Sequence, residues 1–409
     1  MSTIKPFKAL RPQAQFAKQV ASKPYDVLTS AEAKIETQGN PISFLHVTKS
    51  EIDLPESTDV HSDTVYQKAK ENLEAFIKRD VLFSENKDCF YVYRLIMNGK
   101  SQTGLVALSS IDDYEKNIIK KHELTRPDKE QDRINHIKTT GAQTGNVFLA
   151  YRDNSDLDSI IEKWTTKKGP VYDFIADDKI SHALWIINDD KIIKEIIDIF
   201  QSQVDYTYIA DGHHRAASAA KVRQSLSNKT EAANYFLTTL FPANQLQILD
   251  YNRVIKPLNG FNEPDFLNAL QNDFFVEEQT AAYKPEHTHT FGLYLKNKWY
   301  KLTSKEGTYS DDPIGVLDVT ILQNNILSKH LNIHDQRTDK NIDFIGGIRG
   351  LSELEKRVNT GECAMAFSLY PVSIEQLFAI ADSGNIMPPK STWFEPKLRD
   401  GLVTHLIYE

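Results

Sequence analysis

The chain has 409 residues, 40% hydrophobic and 25% charged, which is the balance of a folded protein and is long enough for two cores. Its formal charge of -8 and its sequence pI of about 5.9 exclude a broad positive field, so neither nucleic acid nor an anionic membrane surface is an expected partner. A small phosphate ligand needs only local donors and stays compatible with this charge. Cys89 and Cys363 lie in apolar stretches without a metal-binding spacing, and both are expected to be reduced core residues. The first twenty residues hold no apolar run long enough for a signal peptide or a membrane span, so a cytoplasmic protein is expected.

In chain order, Thr29-Ser30-Ala31-Glu32 reads as a capping box that opens a helix. Tyr66, Ala69, Leu73 and Phe76 recur at helical spacing and predict a second helix reaching Lys78. Phe90 to Met97, the turn pair Asn98-Gly99 and Gly104 to Leu108 predict a hairpin, because Asn-Gly tolerates the positive φ a tight turn requires. Ser110 is placed at the cap of a helix running to about Lys121, and Pro127 suits the first position of another short helix. The runs Ala183 to Ile187 and Tyr206 to Ala210 flank an amphipathic stretch around Lys191 to Phe200, which reads as strand, helix, strand. Helix composition follows from His214 to about Leu226, then strand composition at Tyr235 to Phe241 and Leu246 to Ile255. Beyond residue 256 the pattern predicts a hairpin turning at Lys296-Asn297, helices after Pro313 and Ser352, and a Pro- and aromatic-rich terminal segment from Met387. The expectation is an α/β (mixed α+β) protein, with an N-terminal lobe over 1–256 and a C-terminal α+β lobe over 257–409.

Chemistry is concentrated in Asp211-Gly212-His213-His214-Arg215, where a buried strand hands over to a helix within two residues. The first N-H groups of a helix have no intrahelical partner, so an anion fits there. Gly212 permits positive φ, Arg215 can offer a fork to phosphate, and the imidazoles can donate hydrogen bonds or move protons. Asp211 could orient a histidine or hold Mg²⁺ through water; its plainer reading is a helix cap with the histidines on the surface. His122-Glu123-Leu124-Thr125-Arg126 gathers an acid, an imidazole, a hydroxyl and a guanidinium, and Glu123 is the candidate base. A zinc protease would need histidine at position 126, which is Arg. His287 and His289 have no third ligand nearby, and Gly346 to Gly350 lacks the lysine and serine of a phosphate loop, so no metal site is assigned and a turn is expected at the latter. Tyr25 and Asp26 could form a pocket rim, and Lys390 and Lys397 could serve as a substrate clamp beside Trp393 and Phe394.

The segments Lys23 to Val27, His122 to Arg126, Asp211 to Arg215 and Met387 to Lys397 together resemble the bacterial and archaeal family catalogued as domain of unknown function 1015, over nearly the whole chain. The Asp-Gly-His-His-Arg run is similar to the phosphate-binding motif of the ParB and sulfiredoxin superfamily, especially its free serine kinases. That resemblance implies a ParB/sulfiredoxin-like nucleotide-binding core, with Gly212, His213, His214 and Arg215 on the phosphates and Asp211 beside them. His213 stands where sulfiredoxins carry the catalytic cysteine, which excludes their chemistry. No helix-turn-helix is evident, which disfavours a chromosome-segregation role. On this reading Glu123, Asp211 and His213 are catalytic, and Tyr25, Asp26, His122, Thr125, Arg126, Lys390 and Lys397 line the substrate side. The expected function is a nucleotide-dependent small-molecule kinase using ATP or ADP with Mg²⁺ and acting on serine or a related hydroxylated metabolite. The alternatives are a ParB-like regulatory nucleotide binder with slow or no turnover, and a phosphate-ester hydrolase.

Overall fold

The computed structural model describes residues 1–227 and 230–408 as a mixed α+β protein. Contacts divide it into two compact units. The first comprises Met1–Lys121, Thr125–Leu246 and Pro396–Glu409; the second comprises His122–Leu124 and Gln247–Glu395.

The first unit is organised on a nine-stranded sheet. Its strands are β1 (Ile4–Lys5), β2 (Phe90–Met97), β3 (Lys100–Ser110), β4 (Ile119–Lys120), β5 (Val147–Tyr151), β6 (Tyr172–Ile175), β7 (Ser181–Ile187), β8 (Thr207–Asp211) and β9 (Tyr235–Pro242). They lie in the order β4-β8-β5-β9-β3-β2-β7-β6, with β1 added alongside β3. The β2-β3 hairpin forms as its turn chemistry predicts, with Asn98 at φ 51° and Gly99 at φ 79°. Strands β7 and β8, with the helix Asp190–Gln203 between them, follow the strand-helix-strand pattern in sequence. They are not neighbours, however: four strands separate them, and only the β4-β8 and β5-β9 pairs are parallel. A local alternation of elements specifies each element but not its place in a sheet.

The core on one side of this sheet gathers Val92, Leu105, Leu149, Trp185, Ile209 and Leu240 with Ile196 and Phe200 of the helix Asp190–Gln203. Each such side chain contributes roughly 1.5–3 kcal/mol through burial. The capping box holds: Thr29 accepts from the Glu32 N-H, and the Glu32 side chain returns to the Thr29 N-H. Tyr66, Ala69, Leu73 and Phe76 are all buried on the helix Asp63–Lys78. Two expectations need correction. The helix after Ser110 ends at Glu115 rather than near Lys121, because Asn117 turns to φ 57° and Ile119–Lys120 pair with Thr207 and Tyr208. The helix opened by Pro127 is not short; it runs Pro127–Thr140, with the left-handed Gly141 ending it.

The second unit is built on a fully antiparallel six-stranded sheet of β10 (Tyr251–Ile255), β11 (Phe274–Gln279), β12 (Thr290–Leu295), β13 (Lys298–Ser304), β14 (Ile342–Gly346) and β15 (Met365–Leu369), in the order β11-β13-β12-β15-β10-β14. Lys296 and Asn297, both at positive φ, form the β12-β13 turn. Gly346 and Gly347 are required by close approach: a Cβ would meet the Trp393 ring at 2.8 Å and the Asp250 carboxylate at 2.4 Å, respectively. Both cysteines are buried and free.

In this unit Asp318 is buried, and its Oδ1 accepts the His289 N-H at 2.8 Å, whereas Oδ2 finds no partner among the described residues. Burial pushes its carboxyl up to about 7 against that hydrogen bond. A raised folded value means that the stability it confers is present at low pH and is lost as pH rises through about 7. Asp318→Asn is therefore expected to unfold at a higher temperature than the parent at pH 8, with the gap narrowing as pH falls below about 7 and closing only below about pH 4, where an unfolded carboxyl is protonated too. Melting should shift by about 2–4 °C per kcal/mol, and parallel melting curves of the two proteins across this range would refute the assignment.

Candidate functional site

The strand-to-helix corner is built by a bulge and a glycine. Strand β8 pairs with β5 through Ile209↔Leu149 and then Asp211↔Phe148, so one extra residue, Ala210, interrupts the alternation and re-aims Asp211. Gly212 follows at φ 97°, a backbone state that costs other residues roughly 1–2 kcal/mol. The helix His213–Ser225 then begins with no side-chain cap and no acidic residue in its first turn. The cap residue, Gly212, thus brings no side chain of its own to the leading N-H groups, and the Asp211 carboxylate precedes it by one residue at the positive end of the dipole.

Arg215 does not project outward as the sequence suggests. It is 9% exposed; its Nη1 donates to the Asn146 carbonyl oxygen, and its Nη2 lies 3.3 Å from Asp26 Oδ2 and 3.8 Å from Asp211 Oδ2. Burial opposes its charge, but Asp26, Asp211 and Asp400 outweigh that and raise its pKa further. Lys397, from the C-terminal segment of the same unit, reaches Asp211 Oδ2 at 3.3 Å. Burial works against ionisation of Asp211, yet Lys397 and Arg215 hold its carboxyl well below the usual range. Arg215 is therefore a brace that ties Asp26, Asp211 and the start of β5 together, and Lys397 is the cation beside Asp211.

Tyr25 packs under the Arg133 guanidinium, 3.9 Å from its ring centroid, and burial pushes the phenol up to about 12. Arg133 is in turn paired with Asp132 at 2.6 Å. Asp26 keeps 42% of its side chain exposed, the most open carboxylate around Arg215.

Two motifs that are far apart in sequence meet in this unit. The Arg126 N-H donates to His214 Nε2 at 3.0 Å. Accepting at Nε2 leaves the ring hydrogen on Nδ1, so His214 is neutral in this arrangement. Thr125 Oγ1 donates to Glu130, which also binds Lys221, and Arg126 pairs with Asp128 at 2.9 Å. His213 is buried at the helix start. Glu123 and His122 lie in the short segment that belongs to the second unit, where the His122 carbonyl oxygen accepts the Met387 N-H at 2.8 Å. Burial lowers the His122 imidazole to about 4, which keeps it neutral. Lys390 is also in the second unit, 5.9 Å from the Tyr251 ring. The clamp lysines therefore divide, Lys397 to one unit and Lys390 to the other.

Sequence reasoning missed Asn146, Arg133 and Asp400. Gly145 carries the one available signal, a glycine just before a strand: a Cβ there would stand 3.3 Å from Arg215 Cδ and 3.4 Å from Asp400 Oδ1. Among the described residues no group of three or more His, Cys, Asp or Glu side chains is placed to hold a metal ion. Asp211 faces two cations, so the donor set does not fit Mg²⁺ as a protein-held ion.

The architecture and this corner define a mixed α+β protein in which a helix starts from a positive-φ glycine after a bulged strand, with Arg215 and Lys397 converging on Asp211. The chain belongs to the family described as Protein of unknown function (DUF1015), whose model matches residues 4–320. Its fold is similar to a free serine kinase variant in complex with AMP, at 14% identity and TM-score 0.38, covering 75% of this chain and 88% of that one. A conserved hypothetical protein from Pyrococcus furiosus compares at 16% identity and TM-score 0.37, covering 73% and 94%. SbnI with a C-terminal truncation from Staphylococcus aureus compares at 10% identity and TM-score 0.37, covering 71% and 82%. No curated protein matches the chain. No helix among the described residues is long and apolar enough to cross a membrane.

Proposed function

We propose that the protein is a nucleotide-dependent phosphotransferase acting on a small hydroxylated metabolite, with serine or a relative as the acceptor class. The observation that carries this reading is the start of the helix His213–Ser225: positive-φ glycine, no capping side chain, no acid in the first turn, and Lys397 alongside. Backbone N-H groups of residues 213 to 215, with His214, would hold the nucleotide phosphates, and Lys397 would offset charge on the moving phosphoryl group. Asp26 is the carboxylate we assign to the acceptor hydroxyl, because it is half open and is held in place by Arg215. Mg²⁺ would enter with the nucleotide and offset the charge of its phosphates. A ParB/sulfiredoxin-type core, an ATP or ADP donor and a cytoplasmic setting belong to the same proposal.

The test is calorimetric titration with ADP, followed by phosphorus NMR of the protein with ATP or ADP, Mg²⁺ and a pool of hydroxylated amino acids. A new phosphate-ester signal that grows as the nucleotide signal declines is the expected result. Binding without transfer would assign a nucleotide-holding regulator, phosphate release from an ester without added nucleotide would assign a hydrolase, and no binding would remove the site.

A further inference from the structure

Beside Arg215 the first unit holds a partly open cavity of about 30 Å³, lined by Tyr25, Arg133, His136, Gly145, Arg215 and Asp400 among others. It has room for about two water molecules. Asp400 is 2% exposed, and its Oδ2 has no hydrogen-bond partner among the described residues. Its backbone is fixed by a two-way pairing with Ser22, whose N-H and carbonyl oxygen bind it at 3.1 and 2.9 Å.

The charges that surround Asp400 mostly cancel in pairs. From the helix Pro127–Thr140, Arg133 is matched by Asp132, and His136 bonds the Val47 carbonyl oxygen at 2.9 Å, with burial lowering its imidazole to about 4. On its own segment, Lys397 is matched by Asp211 and Arg399 by Asp178. From the turn Tyr25–Val27 come the Tyr25 phenol, neutral below about 12, and Asp26. What remains is one guanidinium, Arg215, facing both Asp26 and Asp400. Two carboxylates near one cation cannot both ionise freely, and the more buried one retains the proton. Burial and Asp26 push the Asp400 carboxyl up to about 8 against the pull of Arg215 and Arg133.

We infer that Asp400 is a proton-carrying positioning residue, which takes up a proton when an anion binds at the neighbouring helix start and thereby keeps Arg215 committed to Asp26. The inference rests on the proposed phosphate site. Added negative charge favours the neutral acid, so anion affinity should be highest where Asp400 is already protonated and should fall as pH rises past about 8.

The experiment is calorimetric titration with ADP at pH 7 to 9.5, in buffers of different ionisation enthalpy. The parent protein should take up a fraction of a proton per ADP near pH 8 to 9 and lose affinity severalfold, up to about tenfold per pH unit. Asp400→Asn, which mimics the protonated acid, should bind ADP at the parent's low-pH affinity with no uptake and a flat profile. ADP binding without buffer-dependent enthalpy, or equal uptake in the variant, overturns this inference and leaves the phosphate site standing. Absence of ADP binding at every pH overturns both. Should the variant fail to fold, the parent's buffer dependence near pH 8 to 9 still decides.

Discussion

Replacing Arg215 with alanine is expected to destabilise the first unit by about 3–5 kcal/mol, the usual cost of removing one partner from a buried charge cluster. The guanidinium bridges Asp26, Asp211 and the Asn146 carbonyl oxygen from a position 9% exposed. Without it, Asp211 retains Lys397, but Asp26 and Asp400 lose the cation they share. Arg215→Lys should recover only part of this, because one ammonium cannot span the carbonyl and both carboxylates with a planar fork. Urea unfolding measured on both variants checks the ordering. A loss below about 1 kcal/mol in Arg215→Ala would mean that the cluster is surface-like, and the bracing role would fall. A phosphate contact alone would predict weakened nucleotide binding with near-parental stability, so the two roles separate cleanly.

The largest effect on turnover is expected at Asp26. If its carboxylate orients and deprotonates the acceptor hydroxyl, Asp26→Asn should lower the rate of phosphoryl transfer by about 10²–10⁴-fold. ADP affinity should stay within about threefold, which is a difference under 1 kcal/mol. Glu123→Gln is the companion measurement, since Glu123 is the other carboxylate the sequence offers as the base. We expect it to keep turnover within about tenfold of the parent. A collapse of turnover in Glu123→Gln with parental rates in Asp26→Asn would transfer the role of base to Glu123.

The legibility of the site was uneven for identifiable reasons. Asp211-Gly212 could be read as a strand-to-helix corner because glycine after a buried apolar run has a local meaning, and Gly212 does stand at φ 97°. The inward turn of Arg215 could not be read, because its partners come from residues 26 and 146, far along the chain. The same applies to the meeting of Arg126 with His214, 88 residues apart. The overextended helix after Ser110 failed for a related reason: Ile119 and Lys120 have ordinary helix propensities, and only pairing with β8 makes them a strand.

Local chemistry determined much by itself: the Thr29 capping box, the Asn98-Gly99 and Lys296-Asn297 turns, the Pro127 helix start and the apolar faces of the long helices. Each depends on torsion preferences and spacings within a few residues, so the information is present before the chain folds. Tertiary structure alone decided the order of the nine strands, the return of residues 396–409 to the first unit and the convergence of Asp26, Asp211 and Asp400 on Arg215. Strand order and buried charge pairing depend on contacts between distant segments, whose energies appear only when the chain closes on itself.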